Sequence, residues 1–155
     1  MLQRFLFACT VITIAFSCTY DSLDAKSNNQ DLIIKTGTIC GWGAVNDTLT
    51  ITGDYAVRYV NYTRASAGKP LVDKSGVIKA SELEVLITQL DFDALKKLDL
   101  NTCNVCFDGC DDWISFRNGT ETHYIRFTNG DSKLEPIKAF VDQLNAIKTQ
   151  YSQSK

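Results

Sequence analysis

Apolar positions along the chain follow three spacings, each predicting a different kind of element. An unbroken run fills Phe5 to Phe16. Past residue 31 the spacing shifts towards two. Leu32-Ile33-Ile34 opens a β-branched run through Thr36, Thr38 and Ile39 to Cys40, which predicts a strand. Gly41-Trp42-Gly43 interrupts it. From Thr48, TLTITGDYAVRYVNY alternates on both sides of Thr52-Gly53-Asp54, a hairpin signal. Leu49 and Ile51 share one face of its first strand, and Tyr55, Val57 and Tyr59 share one face of its second. The stretch 63–79 holds Gly68, Pro70 and Gly76 and reads as loop.

The spacing then becomes helical. Leu83, Leu86, Ile87 and Leu90 fall on one helix face behind Ser81-Glu82-Leu83-Glu84, a capping-box pattern with Ser81 at the cap. Asp91 to Leu95 either continues that helix or starts a separate turn. Trp113–Arg117 and Thr122–Phe127 flank Asn118-Gly119, a second hairpin signal. Ile114 and Phe116 point one way. On the returning strand Ile125 and Phe127 form the bulkier apolar pair, so they take the core in preference to Tyr124 and Arg126. Pro136 suits a first helical turn, and Ile137, Phe140, Val141, Leu144 and Ile147 recur on one face after it. Hairpins in place of alternating βα units predict an α+β fold: an antiparallel sheet of about five strands with two or three helices packed on one face.

The first run is about twelve residues, short of the roughly 18–20 needed to span a bilayer. With Arg4 ahead of it and Ser17-Cys18 behind, it has the layout of an export signal. Ala15-Phe16-Ser17-Cys18 resembles a bacterial lipobox, with Ala15 where leucine is usual. In this it is similar to the small lipoproteins of bacteroidete-like bacteria. The resemblance implies cleavage before Cys18 and a diacylglycerol on its sulfur, hence a protein held to the cell envelope through an N-terminal lipid. It divides the chain into a signal peptide at 1–17, a lipid-anchored polar tether at 18–31 and one globular domain at 32–151. The alternative is an ordinary secretory peptide cut nearby, with a secreted product and Cys18 as a structural cysteine.

Losing 17 of the 155 residues leaves about 138, enough for one domain with a real core. Removing Arg4 from the 16 Lys and Arg leaves 15 against 18 Asp and Glu. That balance, with no basic run, argues against a nucleic-acid partner.

Six cysteines divide three ways. Cys9 leaves with the signal and Cys18 takes the lipid, which leaves Cys40, Cys103, Cys106 and Cys110. Four cysteines in an exported domain read first as two disulfides. The tight trio 103/106/110 leaves Cys40 as the one distant partner, so a long-range bridge joins it to the trio and a local bridge closes within. Which trio member takes which role is open. Cys103-x-x-Cys106 also has redox spacing, but Asp108, Asp111 and Asp112 follow it where a helix N-terminus is wanted. A four-thiolate zinc site through Cys40, Cys103, Cys106 and Cys110 is a further alternative. The three carboxylates miss the spacing of an EF-hand calcium loop.

His123 is the one histidine, on a predicted strand with Ser115 and Asp112 as conceivable partners in a small hydrolase site. Trp42 between two glycines is either a core tryptophan beside a bulge or a contact residue presented on a loop, with Tyr59 adding aromatic surface. The reading that accommodates these features is a non-catalytic binding or interaction module. It would need no cofactor and would meet a protein or glycan partner.

Overall fold

The computed structural model describes Asn29 and residues 31–153. The expected signal at 1–17, Cys18 and nearly all of the tether lie outside the described residues. The fold is α+β. Six strands, β1 (Leu32–Cys40), β2 (Asn46–Thr52), β3 (Ala56–Tyr62), β4 (Val72–Val77), β5 (Cys110–Asn118) and β6 (Glu121–Phe127), form one sheet in the order β4-β3-β2-β1-β5-β6. Every neighbouring pair is antiparallel. Three helices follow in sequence: α1 (Ala80–Gln89), α2 (Phe92–Lys97) and α3 (Lys138–Gln153).

The sheet has six strands where about five were expected. The added one is β4, inside the stretch that reads as loop. Its composition is polar, and its place is set by tertiary contacts. The Lys74 ammonium donates to the Tyr151 and Ser152 carbonyls at 3.1 and 3.2 Å, near the end of α3 where unpaired carbonyls attract a cation. Gly76 leaves room for the Tyr151 ring, which a Cβ there would meet at 3.1 Å. As an edge strand with Asp73, Lys74 and Ser75 it is poorly suited to pairing with another chain.

Alternation decides the two faces. Ile34, Leu49, Ile51, Val57, Ile114, Phe116, Ile125 and Phe127 point to one side and form the core with Leu83, Leu86, Leu95, Phe140, Leu144 and Ile147 from the helices. The expected choice of Ile125 and Phe127 over Tyr124 and Arg126 matches this packing. The helix after residue 80 starts earlier than its capping-box pattern suggests. Lys79 occupies the cap, and its N–H meets the Glu82 carboxylate at 3.4 Å, so Ser81 and Glu84 both lie within the helix. The segment after Asp91 is a separate helix, with the Asp91 side chain accepting the Ala94 N–H at 2.8 Å. Pro136 sits in a tight 3₁₀ turn, Ser132–Ile137, that leads into α3.

Candidate functional site

The cysteines converge at one end of the sheet. Cys40 and Cys110 are directly opposed in the β1–β5 ladder, with Cα atoms 4.0 Å apart, and they are bonded. Cys103 and Cys106 close a bridge around a 3₁₀ turn, Asn104–Phe107. A second 3₁₀ turn, Gly41–Gly43, lies against the first. Gly41 N–H donates to Gly109 O at 2.8 Å, and a Cβ on Gly41 would stand 2.8 Å from the Asp108 Cα. Only glycine permits that approach.

The two turns present aromatic rings to solvent. Trp42 is 70 % exposed and Phe107 is 88 % exposed. The Arg64 guanidinium lies 5.7 Å from the Trp42 ring centroid, within cation–π range. Trp42 has φ 57°, a left-handed conformation that costs a side-chain-bearing residue about 1–2 kcal/mol. Trp42 is therefore a loop residue held out in water, and not a core tryptophan beside a bulge. Phe107 was not foreseen; the signal for it is a large apolar residue set in the otherwise polar stretch that follows Cys106.

Beneath the turns lies Asp111, a fully buried carboxylate. Its Oδ1 accepts from Thr102 Oγ1 at 2.7 Å and Asn104 Nδ2 at 3.0 Å, and its Oδ2 from Val105 N–H at 3.2 Å. Burial pushes this carboxyl up. The bonds from Thr102 and the backbone of Val105 and Asn104, with the nearby charge of Arg126, outweigh burial and hold it below the ordinary carboxylate range.

Tyr59 does not join the exposed aromatics. It is 3 % exposed, on the core face of β3, and its hydroxyl meets Asp47 Oδ2 at 3.3 Å. The alternation that grouped it with Val57 was correct, but that face is covered by the helices. Beside it the core ends in a polar network. The half-buried Lys148 ammonium of α3 lies 2.9 Å from Thr38 Oγ1, 3.6 Å from Asp47 Oδ1 and 4.0 Å from Asp112 Oδ1. Thr38 donates its N–H to Asp47 at 2.7 Å and its hydroxyl to Asp112 at 2.5 Å. The cation and both carboxylates partner one another.

The hydrolase and zinc alternatives fare differently from the loop tip. His123 pairs with Phe116 on the core face, and its Nε2–H donates to Leu98 O at 3.1 Å. Ser115 pairs with Tyr124 and so points to the opposite face. Asp112 pairs with Phe127 at the far end of the same ladder. The sheet thus separates the three residues. The four cysteine sulfurs are paired in disulfides and leave no thiolate for zinc. Asp108, Asp111 and Asp112 also diverge: Asp108 is exposed in the turn, Asp111 is buried under it, and Asp112 faces Lys148. The described residues hold no cluster of three or more His, Cys, Asp or Glu placed to bind a metal.

No described helix is long and apolar enough to cross a membrane. The two disulfides point to an oxidising compartment, which fits an envelope or secreted protein. Neither the family models nor the curated proteins compared with this chain match it.

Proposed function

We propose that this protein is exported, anchored to the cell envelope through a lipid on Cys18, and acts as a non-catalytic module that binds a partner through its disulfide-held tip. The observation that carries the binding reading is the exposure of Trp42 and Phe107 on two turns that the bridges 40–110 and 103–106 lock together. Large aromatics on rigid loops lose little entropy on binding and are the usual anchors of an interface. A left-handed tryptophan is a local cost that points to use elsewhere.

The described sheet begins with β1 at Leu32, on the side of the tether, and the tip follows Cys40 at the other end of β1. A nine-residue strand spans about 26 Å. Within the described fold the aromatic tip therefore lies at the opposite end of β1 from Leu32.

Two measurements test this. The intact mass of membrane-extracted protein should correspond to a chain starting at Cys18 with added acyl mass; an unmodified chain starting elsewhere removes the anchor. For binding, the oxidised full chain is titrated onto the envelope fraction of the cells that make it. Trp42→Gly and Phe107→Ala should each weaken saturable binding at least tenfold. Trp42→Gly should leave stability unchanged or raise it by up to about 1 kcal/mol, since it relieves the left-handed residue and loses only the Arg64 contact. Equal binding by both variants defeats the proposal.

A further inference from the structure

The sheet face turned away from the helices carries a second feature, separate from the disulfide tip. Trp113 and Tyr124 stand on this face, their rings stacked with centroids 6.2 Å apart and planes at 29°. Tyr124 is 53 % exposed. Next to Trp113 on β1 is Gly37, where a Cβ would meet the Trp113 ring at 3.0 Å. Beside this close contact lies a cleft of about 390 Å³ whose walls include Tyr62, Trp113, Tyr124 and Arg126, with Asn46, Asp47 and Thr48 between them; the Asp47 carboxylate is engaged by Thr38 N–H and the Tyr59 hydroxyl. That volume lies within the range of small-ligand sites.

Charge on this face runs against the chain as a whole. The formal net charge of the protein is −2. On the open face Lys35 lies between Thr50 and Ser115, Arg117 between Ile33 and Thr122, and Arg126 opposite Trp113 with the Asp111 carboxylate diagonally near it. Arg58 is paired with Asp73, and both Asp111 oxygens are taken by Thr102, Asn104 and Val105. Arg126 is pinned in place, because its backbone N–H bonds Leu100 O at 2.9 Å and its carbonyl accepts from Thr102 N–H at 3.0 Å. Its Nε is nevertheless buried with no hydrogen-bond partner. Arg126 also lines the cleft, and a guanidinium whose buried N–H lacks an acceptor gains one by turning towards a carboxylate there.

We infer that this cleft binds a carboxylated saccharide. The aromatic pair takes the C–H face of a sugar ring, Asn46 and Thr48 meet its hydroxyls, and a small swing of Arg126 brings its guanidinium onto the sugar carboxylate. Aromatic faces with cationic neighbours also suit single-stranded nucleic acid. The disulfides, which place the domain in an oxidising compartment, favour the sugar.

The test uses the oxidised full chain and an immobilised panel of galacturonate, glucuronate and sialic-acid-terminated oligosaccharides, each beside its neutral counterpart. A dT oligomer and a polyglutamate peptide complete the set. At least one carboxylated sugar should bind tenfold or more tightly than its neutral counterpart. Arg126→Gln should abolish that preference, and Tyr124→Ala should weaken binding at least tenfold while its far-UV circular dichroism stays that of the parent. Trp42→Gly should leave it unchanged, which separates this cleft from the tip. The inference is overturned if no carboxylated sugar binds, if Tyr124→Ala and Arg126→Gln bind as the parent does, or if the dT oligomer or the peptide is held as tightly through the same residues.

Discussion

Replacing Asp111 with asparagine removes one charge and exchanges one oxygen for an amide while keeping the shape of the side chain. Thr102 and Asn104 both bond the same oxygen, at 2.7 and 3.0 Å, so an asparagine oxygen can serve both. Its NH₂ group then faces the Val105 N–H, which now bonds the second oxygen at 3.2 Å. Donor meets donor in a site with no solvent access. A charge-assisted bond is lost, and each buried donor without an acceptor costs about 1–3 kcal/mol. Asparagine avoids the penalty of burying a charge, which offsets part of this. The expected net loss is about 2–3 kcal/mol, a large share of the roughly 5–15 kcal/mol by which a domain is stable.

Urea unfolding of the oxidised full chain, followed by tryptophan fluorescence, measures that loss. Acid gives the sharper check. The folded-state value of Asp111 lies below the ordinary 3.8, so its contribution is complete above pH 3.8 and disappears as pH falls through the folded value. The gap between parent and Asp111→Asn should be constant near neutrality and narrow progressively below pH 3.8. A gap under about 0.5 kcal/mol at neutral pH, the range of an ordinary surface change, refutes the account. So does a gap that does not change with acid.

Gly37→Ala should destabilise by about 1–3 kcal/mol, because its Cβ would run into the Asp47 carbonyl and the Trp113 ring; thermal unfolding no lower than the parent's would show that the strands adjust freely. The two disulfides should contribute unequally. Closing a loop of sequence separation 70 is worth about 4 kcal/mol by chain entropy, and closing one of separation 3 about 2 kcal/mol. Cys40→Ala with Cys110→Ala should therefore lower stability more than Cys103→Ala with Cys106→Ala in denaturant titrations, and the reverse order would contradict that entropy argument.

Much of the fold was legible because local pattern and burial agree. β1, both hairpins and the amphipathic α3 follow from alternation, turn residues and a single apolar helix face. β4 was not legible, since a polar run with glycine carries no burial signal and forms against partners brought from α3. The flanking glycines left Trp42 either on a loop or in the core beside a bulge, and only the fold put it in solvent. Tyr59 was misread because alternation tells which residues share a face but not which face the helices cover. Trp113, Tyr124 and Arg126 were individually visible on strands, yet nothing local showed that they would line one cleft with Tyr62.

The amino-acid sequence by itself determined the period of each element, and it limited the four cysteines to one long-range and one local bridge if all were to pair. It could not choose the partners. That choice belonged to the register of β1 against β5, strands separated by 70 residues at the bridge, which sets Cys40 directly opposite Cys110 and leaves Cys103 to Cys106. Register is a long-range property, fixed when the apolar alternation of both strands meets one common core, and a one-residue slip would turn every side chain to the other face. The register of β5 against β6 likewise set Arg126 opposite Trp113 and Tyr124 opposite Ser115, and turned His123 to the other face from Ser115.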